Sequence, residues 1–240
     1  MPDVMADAGL QSDPTAIIGY PPARHGGGEP DLVIGPDARV RSGSAIYLGS
    51  RIGARFQTGH NVVVREDCTI GDDVSVWSNT VIDYGCNIGN RVKIHSNCYI
   101  AQYTEIEDDA FLAPGVSIAN DLYPGQPASA HLMSGPSIGA GAQIGVNVTL
   151  LPFVRVGAGC LIGAGAVVVL DIPDGSVAFG NPAIVRGQVG ELTSIEKRVE
   201  AVTNSARRYQ RRRPHPVSHL AVASRDVVFD SPPVVRGVVM

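Results

Sequence analysis

From Ile34 onward an aliphatic residue returns at every sixth position, through Val40, Ile46 and Ile52 and on from Val64 to Ile118, then again from Ile138 to Val168. Of these 21 hexads only one, at Thr58, carries no aliphatic. A period of six fits no simple helix, because the inward positions would walk around its surface. Four residues after each aliphatic stands a second small or apolar residue, such as Ala38, Val62, Val74 or Ala166. Two inward positions in six match short strands separated by corners.

The corner has its own residue signature. Three places after the aliphatic stands Gly, Asn or Asp in 17 of the 21 hexads. These types enter the left-handed region of backbone space at least cost. Each hexad therefore reads as one strand plus one turn, and three hexads close a triangular coil of eighteen residues. Parallel coils stack at about 4.8 Å, so seven coils make a prism roughly 33 Å long with Ile and Val columns as its core. The chain of 240 residues, 44% of them apolar, supplies that core comfortably.

The rest of the composition narrows the classes. A net charge of −4 gives no general electrostatic case for nucleic acid or anionic membrane. No apolar run reaches the roughly 18 residues of a membrane span, and the N-terminus MPDVMADAGLQSDP does not look like a secretion signal. A cytoplasmic protein is the expectation. The basic cluster RRYQRRR at 207 to 213 reads as a solvated helix end, with phosphate binding as the alternative. Cys68, Cys86, Cys98 and Cys160 all fall on the small inward position and read as unbridged core residues. A disulfide between the stacked Cys68 and Cys86 is the alternative.

Residues 1–30 read as a flexible arm with no hexad, and 31–187 as the repeat domain. Residues 188–240 read as a helix, spaced by Leu192, Ile195, Val199 and Val202, followed by a tail. The beat fails once, after SIANDLYPG, where residues 119–137 form an ejected loop. A flat-sided prism has few pockets of its own, so this interruption is the place to look for chemistry.

Hexads such as IGDDVS, IGAGAQ and IGAGAV resemble those of the hexapeptide-repeat acyltransferases. That resemblance implies an all-β, left-handed parallel β-helix of about seven coils, assembled as a homotrimer with active sites in the grooves between subunits. It also implies acetyl-coenzyme A as co-substrate, its pantetheine arm laid along the later coils. Ala119, Gly145, Asn147, Gly163 and Ala164 are the corresponding corner residues, and FGNPAIVRG is similar to the family's terminal segment. Asn181, Pro182 and Arg186 would then border the nucleotide, with Arg186 or Arg155 meeting phosphate.

The stretches TGHNVVVRE and VKIHSNCYIAQYTEIEDDAFLAPGVSIANDLYPG resemble the branch that acetylates nucleotide-linked amino sugars, of which the 3-amino-deoxyhexose type is favoured. Ala113 and Ala119 depart from that branch's Gly and Thr. The resemblance marks His95, Asn120 and Asp121 as catalytic, and His60, Asn61, Asn97, Glu107 and Tyr123 as acceptor-binding. His95 would take the amine proton, oriented by Asp121 or Glu107, while backbone amides near Ala119 and Asn120 hold the oxyanion. Turn geometry alone also accounts for Asn97 and Asp121. No metal is expected. The alternatives are O-acetylation of a sugar or other small acceptor, a γ-type carbonic anhydrase using His60, His95 and His131, and a non-catalytic trimeric scaffold.

Overall fold

A computed structural model describes residues 4–23 and 31–192. Three sheets of eight, ten and eight strands form a three-sided helix, parallel throughout and each successive strand passing to the next sheet up to Val167–Val168. They are called A, B and C in the order in which the chain visits them. All 21 hexads become strands, from Leu32–Ile34 to Val167–Val168. The register stacks like on like: Ile52, Ile70, Ile88, Ile106, Ile138 and Val156 form one inward column in sheet A. Every member of that column is at most 3% exposed. Burying each aliphatic is worth about 1.5–3 kcal/mol, which makes the columns the main support of the fold. Thr58 sits in its own column at 6% exposure, its hydroxyl satisfied by the Arg41 amide at 2.8 Å.

The corner slots behave as their composition suggests, with two informative exceptions. Nineteen of the 21 take positive φ, including the four that carry Arg55, Arg91, Tyr103 and Phe153. Coil stacking thus imposes the left-handed corner even on side chains that disfavour it. The exceptions are Asp121 and Asp171, and both stand where the chain leaves the regular coils.

Two expectations change at the N-terminus. Residues 4–20 are not a loose arm: Val4–Ala6, Gln11–Ser12 and Ile17–Tyr20 pair in parallel with the first strands of the repeat domain. The described part therefore has eight coils, and a partial ninth adds Ser176–Phe179 to sheet B. Ala6, Ser12 and Ile18 keep the six-residue beat, and they align with Ile34, Val40 and Ile46. At the far end Ile184–Gln188 turns back antiparallel on Ser176–Phe179 and ends the run of parallel strands. Of the expected C-terminal helix and tail at 188–240, Gln188 is the end of a strand and Val189–Glu191 a short 3-10 turn; the rest, from residue 193, and the RRYQRRR cluster lie outside the described residues.

All four cysteines are buried and free. Cys68 beside it and burial push the Cys86 thiol up, so it behaves as a small hydrophobe.

Candidate active site

Since hexads repeat in threes, each corner of the triangle is an edge running the length of the helix. The edge between sheets B and C gathers His60, Asn61, His95, Asn97, Gly145, Asn147, Gly163 and Ala164. Eight sequence-marked residues thus share one edge. Asn61, Asn97 and Asn147 occupy its left-handed corner slots, and Asn61 donates to Asn79 one coil on at 3.3 Å.

His95 is half-buried. Its ring stacks on Trp77 from the preceding coil, with centroids 4.3 Å apart and an interplanar angle of 1°. From the next coil Phe111 approaches it at 5.0 Å. The imidazole is thus clamped between aromatic rings rather than held by a carboxylate, and no described acid hydrogen-bonds it. Trp77 is not among the residues marked from sequence. Its signal is there all the same: it is the one tryptophan of the chain, and it stands in a slot that carries glycine at Gly59 and Gly145. His60 lies two coils from His95 and shares a 2.7 Å hydrogen bond with Ser42 through Nδ1. An open hollow of about 590 Å³ over Lys93 and Gln143 shares Phe111 with the His95 stack.

Asp121, Asn120 and Ala119 belong to a different edge, between sheets C and A, where the loop departs. Within one chain they do not meet His95. Both carboxylate oxygens of Asp121 are spent inside the loop, accepting from the Tyr123 amide at 2.8 Å and the Ser129 hydroxyl at 3.0 Å. Asp121 is therefore neither a corner residue nor a partner of His95 in its own chain; it shapes the loop as an Asx turn does. The Asn120 carbonyl accepts from the Ser134 amide at 3.0 Å, so the loop is closed at its base. The Ala119 amide donates to Leu150 O at 3.0 Å and is unavailable to an oxyanion. Tyr123, 66% exposed, projects from the loop surface.

Glu107 is on the third edge, between A and B, and accepts from the Ala140 amide of the next coil at 2.9 Å. It cannot orient His95 within one chain, and its carboxylate serves coil stacking. Arg155 is also committed: it pairs with Asp174 at 3.0 Å on sheet A. Arg186 lies over the Phe179 ring at 5.6 Å and pairs with no described carboxylate. Of the two arginines it is the one left to meet an anion. Asn181 and Pro182 are exposed in the turn just before it, joined by a cis peptide bond.

The glycines divide by cause. At Gly145 a Cβ would lie 2.7 Å from the Ala164 amide, so coil packing alone requires glycine there. At Gly165 a Cβ would meet nothing within 4 Å, leaving an open corner beside Gly163 and Ala164. Gly163 itself is buried, Ala164 is half-buried and Gly165 is exposed, so open backbone on this edge is at Gly165. Among the described residues no group of three or more His, Cys, Asp or Glu is spaced to hold a metal ion. His131, in the loop's short helical turn, is far along the chain's path from the edge that carries His60 and His95. No described helix is long and apolar enough to cross a membrane.

The missed feature is a polar column, buried at Asp83 and half-buried along the rest, on the edge between C and A. Arg65, Asp83, Gln102 and Asn120 follow one another up successive coils. Glu66 and Asp83 are 3% and 5% exposed, unusual burial for carboxylates. Arg65 and Asp83 stand eighteen residues apart in slots where the opposite edge has glycine, and that is the signal the sequence offers.

A family model for the bacterial transferase hexapeptide, six repeats, matches residues 49–83, 85–120 and 135–169. Among curated proteins, the chain is 40% identical over 72 residues to a dTDP-3-amino-3,6-dideoxy-alpha-D-galactopyranose 3-N-acetyltransferase of Aneurinibacillus thermoaerophilus, covering 29% of this chain and 38% of that protein. It is 38% identical over 78 residues to serine acetyltransferase 2 of Arabidopsis thaliana, covering 32% and 24%. These matches span well under half the length of either relative. Among solved structures, the polySia specific acetyltransferase NeuO aligns with TM-score 0.48 and 18% identity, covering 88% of this chain and 95% of that one.

Proposed function

The chain belongs to the hexapeptide-repeat transferase family, the left-handed parallel β-helix proteins, and from that premise we propose that it acetylates the amino group of a nucleotide-linked amino sugar. The donor is acetyl-coenzyme A, and the 3-amino-deoxyhexose type is the favoured acceptor. One observation carries this reading: a half-buried imidazole, His95, is clamped by Trp77 on the same edge as the open corner at Gly165, beside Ala164. The relative named for acetylating a dTDP-linked 3-amino sugar supports the acceptor class.

Two edges of one chain hold the two halves of the site. A homotrimer would set the edge bearing His95 against the loop and Asn120 of a second copy, and the acceptor would lie between them. Gly163, Ala164, Asn181, Pro182 and Arg186 would hold the coenzyme, with Arg186 at a phosphate. The amine nitrogen forms its bond to the acetyl carbon as the carbon–sulfur bond breaks, and the proton it sheds passes to His95. Of the oxyanion donors named from sequence, the Asn120 amide remains, since that of Ala119 is engaged in stacking.

The test is thiol release from acetyl-coenzyme A in the presence of nucleotide-linked 3-amino and 4-amino sugars. Turnover is expected with the 3-amino sugars, and His95→Ala lowers kcat by about 10²- to 10⁴-fold in a protein that still folds. Wild type that turns over none of these amines removes the acceptor class; an undiminished His95→Ala removes the base. O-acetylation is the second reading, favoured by the serine acetyltransferase match, and hydroxyl acceptors in the same screen separate the two.

A further inference from the structure

The polar column between sheets C and A ends at Asn120, and each of its members fixes the next. Asp83 is 5% exposed and its carboxylate can only accept hydrogen bonds. Oδ1 accepts from Arg65 Nη1 at 3.1 Å and from the Tyr84 amide at 2.9 Å. Oδ2 accepts from the Tyr99 hydroxyl at 2.8 Å and from Gln102 Nε2 at 2.6 Å. Arg65 is itself held by Glu66 at 2.8 Å and flanked by the rings of Tyr47 and Tyr84 at 5.7 and 5.3 Å. Burial, and then the hydrogen bond to Asp83, push the Tyr99 hydroxyl up to about 12, so it remains a donor.

A carboxylate that accepts only leaves the Gln102 amide one orientation. Its nitrogen must face Asp83, so its oxygen faces away, and there it accepts from Asn120 Nδ2. Asn120 is oriented in turn: its side-chain nitrogen gives one of its two N–H groups to Gln102, and its side-chain oxygen, without a described partner, stands at the root of the loop.

We propose that Asp83 and Gln102 are positioning residues that lock Asn120 with its side-chain carbonyl presented as an acceptor to the N–H of the attacking amine. This rests on the acetyl-transfer reading above and deepens it. The site is specified for a hydrogen-bond donor on the nucleophile. Held by one such bond, the amine keeps its lone pair free to point at the thioester carbon. The cost of mispairing enforces the polarity, because a flipped Gln102 would set a carbonyl against a buried carboxylate.

The experiment compares wild type, Gln102→Leu and Gln102→Glu for turnover of a nucleotide-linked 3-amino sugar across pH. Gln102→Leu frees Asn120 to flip, and kcat/KM for the sugar is expected to fall about 10- to 100-fold while KM for acetyl-coenzyme A stays unchanged. Gln102→Glu is isosteric and keeps the variant set informative if the leucine variant fails to fold. The groups around position 102 are Asp83, Tyr99, Arg65 and, behind Arg65, Glu66, while Asp121 beyond Asn120 is tied to its own loop. Beside Asp83 a new carboxyl is raised above its ordinary value of about 4.3. It can donate to Asp83 only while protonated, so activity relative to wild type is retained at low pH and falls at least about tenfold as pH rises through that raised value. A merely structural role would not move the pH profile. Full kcat/KM in Gln102→Leu, or a Gln102→Glu profile parallel to wild type, overturns the relay. Wild type without turnover of any amine overturns the acetyl-transfer reading itself and takes the amine-facing role of Asn120 with it.

Discussion

The edge between sheets A and B and the edge between C and A are built on the same repeat, yet they use it in opposite ways. On the first, the residue after the aliphatic is glycine in six of seven hexads; on the second it never is, and Tyr47, Arg65 and Asp83 stand there instead. The glycines make room for a stacked ladder of side chains: Asp72, Asn90 and Asp108 each accept the amide of the coil before, at 2.8 to 2.9 Å. Outside it Arg55 pairs with Asp73 at 2.6 Å and Arg91 with Asp109 at 2.7 Å, all of them exposed. That edge is closed on itself and faces water. The other edge buries its charges, and its last member offers an unfilled acceptor beside the loop. A column of polar side chains eighteen residues apart is therefore scaffolding or machinery according to whether it is buried and where it ends.

The widest gap between the two edges is expected on cutting one charge from each. Asp83→Ala leaves the Arg65 guanidinium with Glu66 alone in a buried setting, and urea unfolding is expected to show a loss of about 3 kcal/mol. Arg91→Ala breaks an exposed pair, so the midpoint moves only slightly and the shift fades in salt. Equal effects would erase the distinction between the edges. The slot rule gives a smaller contrast. A Cβ at Gly89 would lie 2.7 Å from the Asp108 amide, so Gly89→Ala is expected to cost about 1–3 kcal/mol through overpacking. Ala101→Gly, in the matching slot of the other edge, costs about 0.5–1 kcal/mol by chain entropy and about 0.8 kcal/mol more for the buried methyl it removes, without any overpacking. A Gly89→Ala protein as stable as wild type would show that the ladder does not need its glycines.

Much of this architecture is legible in the amino-acid sequence itself. Hexad spacing locates all 21 strands, and the one break in the beat locates the loop. The first coil escapes because Ala6 and Ser12 are not aliphatic and an insertion shifts the phase ahead of Ile34. For the site, counting hexads in threes already separates His95, Glu107 and Asp121 onto three edges, so their joint action in one chain is excluded by arithmetic. What spacing does not carry is which neighbour a side chain selects. Trp77 stacking on His95, and the direction of the Gln102 amide, depend on rotamers set by packing across coils. Asp121 shows the converse: its residue type suits a left-handed corner, but the chain has left the coil and the carboxylate folds the loop instead.

The smallest expected effect lies in acid, and it again divides the edges. Hydrogen bonds from Arg55 to Asp73, from the Asn90 amide to Asp108 and from Arg91 to Asp109 hold all three carboxyls below their ordinary 3.8. A carboxyl whose folded value lies below its unfolded one contributes stability above the unfolded value and loses it as pH falls through the folded one. An Arg55→Ala, Arg91→Ala double variant should therefore be slightly less stable than wild type from pH 5 to 7, roughly the range where these carboxyls are ionised in both states. The difference should close as pH is lowered through 3.8 and beyond. Because Arg55, Asp73, Arg91 and Asp109 are exposed, the gap should also shrink with added salt. A gap that persists undiminished at low pH would mean the arginines act through packing of their stems along the ladder rather than through charge.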